Sequence, residues 1–205
     1  MKDKLVPSPL IKQFLNQAEH YECLDIGAGR GDNIIFLAKT GFSATALEVR
    51  EDSANIIKKR ARANKVSVKV ENKDVRKFNI NKNHYSLVSA IHSLNFFSKD
   101  EFLNLITKIK AGLTNDGLCV ISMFTTKDSM YEELKQRVTL QKDNSLADEN
   151  GKKWYFPKPN ELKKLFKDFE ILFYVEAIID DKGHPGKESP HKHTVARIVA
   201  KNKSA

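Results

Sequence analysis

The stretch "ECLDIGAGRGDNIIFLAKTGF", residues 22–42, decides the fold. A short apolar segment runs into three glycines spaced G-x-G-x-G (Gly27, Gly29, Gly31) and then into an apolar-periodic run. Glycines at such a junction let the chain turn from strand to helix and let a ligand approach the backbone. The expectation is a strand at 22–26, a helix at 32–39 and a nucleotide-like ligand over the turn between them.

Outward from that turn, hydrophobic period and punctuation continue the alternation. Strands are expected at 43–48, 66–71, 85–91 and 117–124, with helices at 51–63 and 99–112. A first helix at 8–18 has Ser8 as its cap and Pro9 in the favoured first turn. This βαβ order implies a parallel sheet with helices on both faces. After a helix at 159–167, strands at 169–178 and 193–201 follow with no helix between them, which predicts an antiparallel edge. The expected class is α/β: a doubly wound, mostly parallel seven-stranded sheet with an antiparallel last strand, a Rossmann-like fold. One domain is expected over 1–205, with its N-terminal helix within 1–20 and a variable insertion on the substrate side at 125–158. In that insertion "DSMYEELKQRV" reads as helical and "QKDNSLADENGKKWYFPKP" as a long loop, and long ordered loops are often functional.

Composition narrows the setting. The 205 residues, 40% hydrophobic, suffice for one sizeable core. No apolar run approaches the roughly 18 residues that span a bilayer, and "MKDKLVPSPL" lacks the apolar centre of a secretory signal. Two cysteines, Cys23 and Cys119, both in apolar strands, suit a reduced compartment and suggest neither disulfides nor zinc. A cytoplasmic setting and no membrane partner are expected. Lys+Arg of 35 against Asp+Glu of 26 gives a formal charge of +9. A basic chain can bind nucleic acid, but these lysines are dispersed, and the densest run, "KKRARANK" (58–65), fits the solvated face of a helix.

The glycine spacing argues against a dinucleotide. That site wants G-x-G-x-x-G with a helix N-terminus aimed at a pyrophosphate; here the third glycine comes one residue early and Asp32 stands in its place. No Lys-Ser/Thr follows to make a phosphate-binding P-loop. Asp25, two residues before the first glycine, suits a cation better than a phosphate. S-adenosylmethionine (SAM) carries an ammonium and a sulfonium and no phosphate. Glu48, ending the second strand, is placed to accept from ribose hydroxyls, and Asp74, past the third strand, from an adenine amine, with the Val75 amide facing the ring.

On these residues the chain resembles the class I SAM-dependent methyltransferases over about 22–124. "LDIGAGRGDN" looks like their first motif, "ALEV" like the acidic second-strand end, and "NKDV" like the adenine-contact motif; "YSLVSAIHSLNFF" looks like the fourth-strand motif beside the methyl group. Within the class it is most similar to the small tellurite-resistance (TehB-type) methyltransferases, in its size, in "NELKKLFKDFEIL" and in the closing "PHKHTVARIVAKN". It departs from them in "DDKGHPGKESPHKH", which has histidines and lysines but not the arginine of their substrate pocket.

The resemblance implies that Asp25, Gly27, Ala28, Gly29 and Gly31 hold the methionine moiety, Glu48 and Val49 the ribose, and Asp74 and Val75 the adenine. Ile91 and His92 approach the sulfonium. The implied reaction moves a methyl group from SAM to a small-molecule acceptor, such as a chalcogen oxyanion or thiol, leaving S-adenosylhomocysteine. His92 is the candidate base where the acceptor needs one, with an ordinary pKa near 6.5. Trp154, Tyr155, His184, His191 and His193 are the candidate substrate pocket. His191 and His193 alone make an incomplete ligand set, so no metal is expected. Two other readings stand beside this one: an RNA methyltransferase using the basic surface, and a SAM-binding protein without catalysis. Against the first, "AIHSL" stands where amino-methylating nucleic-acid enzymes carry Asn/Asp-Pro-Pro-Tyr/Phe.

Overall fold

The computed structural model describes residues 4–19, 21–181 and 189–203. In chain order the elements are α1 (Pro9–Phe14), β1 (Glu22–Ile26), α2 (Asp32–Lys39), β2 (Ser43–Leu47), α3 (Glu51–Ala63), β3 (Lys69–Glu71), β4 (Tyr85–Ile91), α4 (Lys99–Gly112) and β5 (Leu113–Phe124). The second half adds α5 (Ser129–Lys135), β6 (Thr139–Leu140), β7 (Leu146–Ala147), β8 (Lys153–Trp154), α6 (Glu161–Leu165), β9 (Glu170–Asp181) and β10 (His191–Lys201). Among the described residues, seven strands form one sheet in the order β3-β2-β1-β4-β5-β10-β9. The first five run parallel, and β10 lies antiparallel between β5 and β9. The expected fold is therefore the observed one.

Alternation along the central strands loads both faces. In β1, Leu24 and Ile26 join one core with Phe102, Ile106 and Ile109 of α4 and Phe166 beyond α6. Cys23 joins the other, with Ile11, Ile34, Leu37 and Ile57 from α1, α2 and α3. The helix starts follow local chemistry. Ser98 and Glu101 form a reciprocal capping box at α4, and α2 begins at Gly31, whose φ of +83° suits glycine. The Arg60 guanidinium, on α3, donates to the Arg30 carbonyl at 2.7 Å and to Asp32 at 2.9 Å, fastening α3 to the glycine turn.

Several boundaries differ from the sequence reading. The first helix, expected over 8–18, is α-helical only over Pro9–Phe14 and continues as a 3₁₀ turn at Leu15–Gln17. The third strand contracts to Lys69–Glu71 because it is an edge paired only with β2. Strand β5 starts earlier, at Leu113, with an irregular register against β4. The long loop expected over 141–159 instead contributes β7 and β8, which with β6 just before it form a small antiparallel sheet. Asn95 staples this insertion to the main sheet: its side-chain amide donates to the Phe124 and Tyr155 carbonyls and its oxygen accepts from the Phe124 amide.

Asn95 is fully buried, so its removal leaves buried backbone groups unpaired. Asn95→Ala is expected to lower stability by about 2–4 kcal/mol. It should also speed proteolysis within 125–158, measured by denaturant midpoint and limited digestion. An unchanged midpoint would remove the staple.

Candidate functional site

Parallel α/β sheets open their ligand crevice at the carboxyl ends of the strands. Here a cavity of about 730 Å³ opens at that edge, lined by Gly27, Gly29, Glu48, Asp74, Ile91 and His92, among others. A second, of about 300 Å³, shares Gly27, Gly29, Ile91 and His92 and is closed by Pro9, Ser122 and Arg197. A third, of about 490 Å³, lies around Ser43, Lys69 and His84, at the far ends of the strands from the glycine turn.

The glycines are required by geometry. Gly27 has φ +70°, and a Cβ there would stand 2.4 Å from Ser93 Cβ. Gly29, at φ +57°, has open space where its Cβ would be. The Gly29 amide donates to Glu48 at 2.8 Å, and the other oxygen of that carboxylate accepts from the Arg50 amide at 2.9 Å. Glu48 thus joins the end of β2 to the glycine turn and lines the larger cavity. Asn72 holds the same strand end by donating to the Glu48 and Val49 carbonyls. The Ser93 hydroxyl donates to the Ile26 carbonyl at 2.6 Å, fixing the end of β1 against β4.

Asp25 lies below this turn, 1% exposed. One oxygen accepts from the Ser89 hydroxyl at 2.6 Å; the other is buried without a hydrogen-bond partner among the described residues. Burial raises its pKa to about 7, with the Ser89 bond opposing and the Glu48 charge adding to the rise. An orphaned buried carboxylate oxygen under a glycine turn fits a cationic ligand and would repel a phosphate.

Asp74 lines the larger cavity, but its carboxylate is taken by Arg76, whose Nε donates to both oxygens at 3.0 Å. The Arg76 guanidinium holds the Asp74 carboxyl below the usual range. The Val75 side chain is buried beside it. The basic residues at the rim are largely engaged: Arg76 with Asp74 and Glu101, Lys73 with Glu71, and Lys152 over the Phe96 and Trp154 rings.

At the junction of the two cavities stands His92, with φ +54°. Its ring stacks on Phe124 with centroids 4.7 Å apart, and Nε2 lies 3.3 Å from the Ser122 hydroxyl. Burial, with the Arg197 and His193 charges, pulls its pKa down to about 4. The imidazole is therefore neutral at pH 7 and a weaker base than the sequence alone suggests. Arg197, on β10 opposite Ser122, lines the smaller cavity with no carboxylate in ion-pair reach among the described residues. Sequence reading missed it, although a charge inside the apolar run "VARIV" is a visible signal, since a charged side chain set among core positions needs a reason.

The aromatic candidates of the insertion are placed in cores. Trp154 packs with Leu146 and Phe156, while Tyr155 packs against Phe102 and donates its hydroxyl to Glu161 at 2.6 Å. Both are buried, and neither is among the residues that line the two cavities at the glycine turn; Lys152, Phe96 and Phe97 line the larger one. His184 lies outside the described residues. His191 and His193 stand together at the start of β10, and Phe124 lies between the His193 and His92 rings, 4.4 Å and 4.7 Å from them by centroid.

The buried charge of Asp25 has a pH signature in the protein without ligand. The penalty on the folded state is absent below the ordinary carboxylate value of 3.8 and fully present above about 7, so stability from this group falls as pH rises through that window. Asp25→Asn keeps an acceptor for Ser89 and removes the charge. At pH 8 its ligand-free form should gain at least about 1.4 kcal/mol, the worth of one pKa unit, with no gain near pH 3.5. Equal stabilities of variant and parent at both pH values, in denaturant titrations, would contradict this.

Comparison with known proteins agrees with this geometry. The family model described as "Methyltransferase domain" matches residues 23–117. A probable SAM-dependent methyltransferase, TehB of Haemophilus influenzae, is 23% identical over 153 residues, 75% of this chain and 47% of that protein. The chain thus spans about half the length of the curated relative it matches. The TehB crystal structure superposes with a TM-score of 0.67 at 20% identity, over 89% of this chain and 57% of that one. A SAM-dependent methyltransferase from Methanosarcina mazei superposes with a TM-score of 0.73 at 16% identity, covering 97% of this chain and 99% of that one. A 1,6-didemethyltoxoflavin N1-methyltransferase from Burkholderia thailandensis, solved with its substrate and S-adenosylhomocysteine, gives 0.63 at 16% identity, over 95% and 76%. Residues 23–117 thus match a methyltransferase domain, and the chain has the fold of the class I SAM-dependent methyltransferases.

Proposed function

We propose that the chain transfers a methyl group from SAM to a small anionic acceptor, with chalcogen oxyanions and thiolates as the leading classes. The observation that carries this reading is the pair of joined cavities. One is built around acids and glycines, the other is closed by a guanidinium, and His92 stands where they meet.

In this reading Asp25 and the Gly27–Gly31 turn, with Ala28, receive the methionine end, and Glu48 and Val49 the ribose. Asp74 and Val75 border the adenine, with Asp74 acting through its Arg76 pair as much as through its own oxygens. When bound, SAM supplies an electrophilic methyl on a sulfonium. The nucleophile forms the new bond with its lone pair as the carbon–sulfur bond breaks, and the electrons of that bond go to sulfur. Orientation and exclusion of water then supply most of the acceleration. Arg197 holds an anion in the smaller cavity, and an anionic nucleophile has no proton to lose. His92, neutral and weakly basic, shapes the wall between the cavities through its stack on Phe124. The RNA-methylating and non-catalytic readings lack a comparable observation: the lysines are dispersed, and the second cavity gives an acceptor somewhere to bind.

Glu48→Ala is expected to weaken SAM at least tenfold in calorimetry, since each hydrogen bond to a carboxylate is worth roughly 1.5–3 kcal/mol. Arg197→Ala should lower kcat/KM for an anionic acceptor by about tenfold or more while SAM affinity stays within about twofold, because one charged contact is lost at one site only. In the parent protein saturated with SAM, where the Asp25 charge is already paired, kcat/KM for the anionic acceptor should show no step from His92 near pH 6.5, the ordinary histidine value. Tight tRNA binding with a steep salt dependence, and no turnover on small anions, would replace this reading with the nucleic-acid one.

A further inference from the structure

The start of β10 brings together side chains that the methyl-transfer reading does not use. In an antiparallel ladder, residues directly opposite share a face, as do residues two apart on one strand. His191 is opposite Asp181 on β9, and His193 is two residues along. One ligand atom from each of Asp181, His191 and His193 lies within 4.8 Å of the other two. The Nε2 atoms of the two imidazoles are 2.9 Å apart.

The outer nitrogens fix the tautomers. His193 Nδ1 is 3.0 Å from the nearer oxygen of the Asp128 carboxylate, which is fully buried. That carboxylate also accepts from the Thr194 amide at 2.6 Å and the Met130 amide at 2.9 Å, so it acts as acceptor and His193 Nδ1 carries the hydrogen. His191 Nδ1 lies 2.8 Å from the Ser189 carbonyl oxygen, which can only accept, so it too carries a hydrogen. Both Nε2 lone pairs therefore point at each other, with a carboxylate alongside. Two lone pairs at that distance repel unless a cation lies between them, either a proton or a metal ion.

We propose that Asp181, His191 and His193 bind one divalent transition-metal ion, with Asp128 as the buried carboxylate that orients His193. Two imidazoles and a carboxylate suit zinc and its neighbours rather than magnesium or calcium. Tetrahedral zinc places nitrogen ligands about 3.3 Å apart, a few tenths of an ångström beyond the present spacing. Three protein ligands leave a position open for water or an anion. The carboxylate–histidine–metal arrangement is the usual way in which a ligand imidazole is held in one tautomer. The Phe124 ring contacts both His193 of this site and His92 of the crevice. It does not depend on the methyl-transfer reading.

The test is calorimetric titration of the chelator-treated full chain with zinc chloride, with magnesium chloride as control. Cobalt(II) absorption reports the geometry, and melting curves and SAM titrations of every variant report folding. One zinc per chain and no magnesium binding are expected. His191→Ala combined with His193→Ala should abolish the zinc isotherm and the cobalt bands. Asp181→Asn, at a half-buried strand end, should weaken zinc at least tenfold. Asp128→Asn can keep the Met130 cap on α5 but loses the oxygen shared by His193 and the Thr194 amide, and should weaken zinc about 10–100-fold. A parent protein that takes up no zinc would overturn the proposal and leave a proton between the rings. Zinc bound equally well by folded Asp181→Asn and by the double-histidine variant would overturn it as well.

Discussion

A single carboxylate, Asp25, is buried beneath a turn in which glycine is required, and the rest of the site is arranged about that charge. The cost of holding it there is met by Ser89 on one side only. Its β1 neighbours Cys23, Leu24 and Ile26 are all buried and apolar. The charge costs stability in the ligand-free protein at neutral pH, and the cationic ligand proposed for the crevice would offset that cost. The turn above it is pinned from three directions, by Glu48 through the Gly29 amide, by Ser93 against Gly27, and by Arg60 through the Arg30 carbonyl. Each contact comes from a different element, so the crevice is shaped before any ligand arrives.

The reversed strand shapes the smaller cavity as the glycine turn shapes the larger one. Because β10 runs against β5, its N-terminal end lies at the edge where the parallel strands end, and His191, His193 and Arg197 all come from that one element. Phe124, at the end of β5, is gripped by Asn95 through both its amide and its carbonyl, and it carries the His92 ring on one side and the His193 ring on the other. A shift of this one side chain would be felt in both cavities and at the histidine pair.

The sequence disclosed the sheet and most of the residues gathered around the larger cavity because those depend on local rules. Glycine spacing, strand alternation and the Ser98–Glu101 capping box are each written within a few residues, and the bounds of α2, α3 and α4 follow from them. What it concealed depends on register between distant segments. That Asp181 faces His191, that Arg197 reaches a cavity walled by Pro9 and Gly29, and that Trp154 and Tyr155 turn inward are facts of pairing and packing, with no local signature. Asp74 illustrates a middle case: its position was legible, while the grip of Arg76 on its carboxylate was not.

The most direct measurement is calorimetric titration of the intact chain with S-adenosylhomocysteine and, separately, with NAD. The account predicts one saturating site for the first and no measurable heat for the second, because Asp25 under a shortened glycine pattern favours an ammonium and opposes a pyrophosphate. Saturable binding of NAD, or no binding of S-adenosylhomocysteine by folded protein, would contradict it.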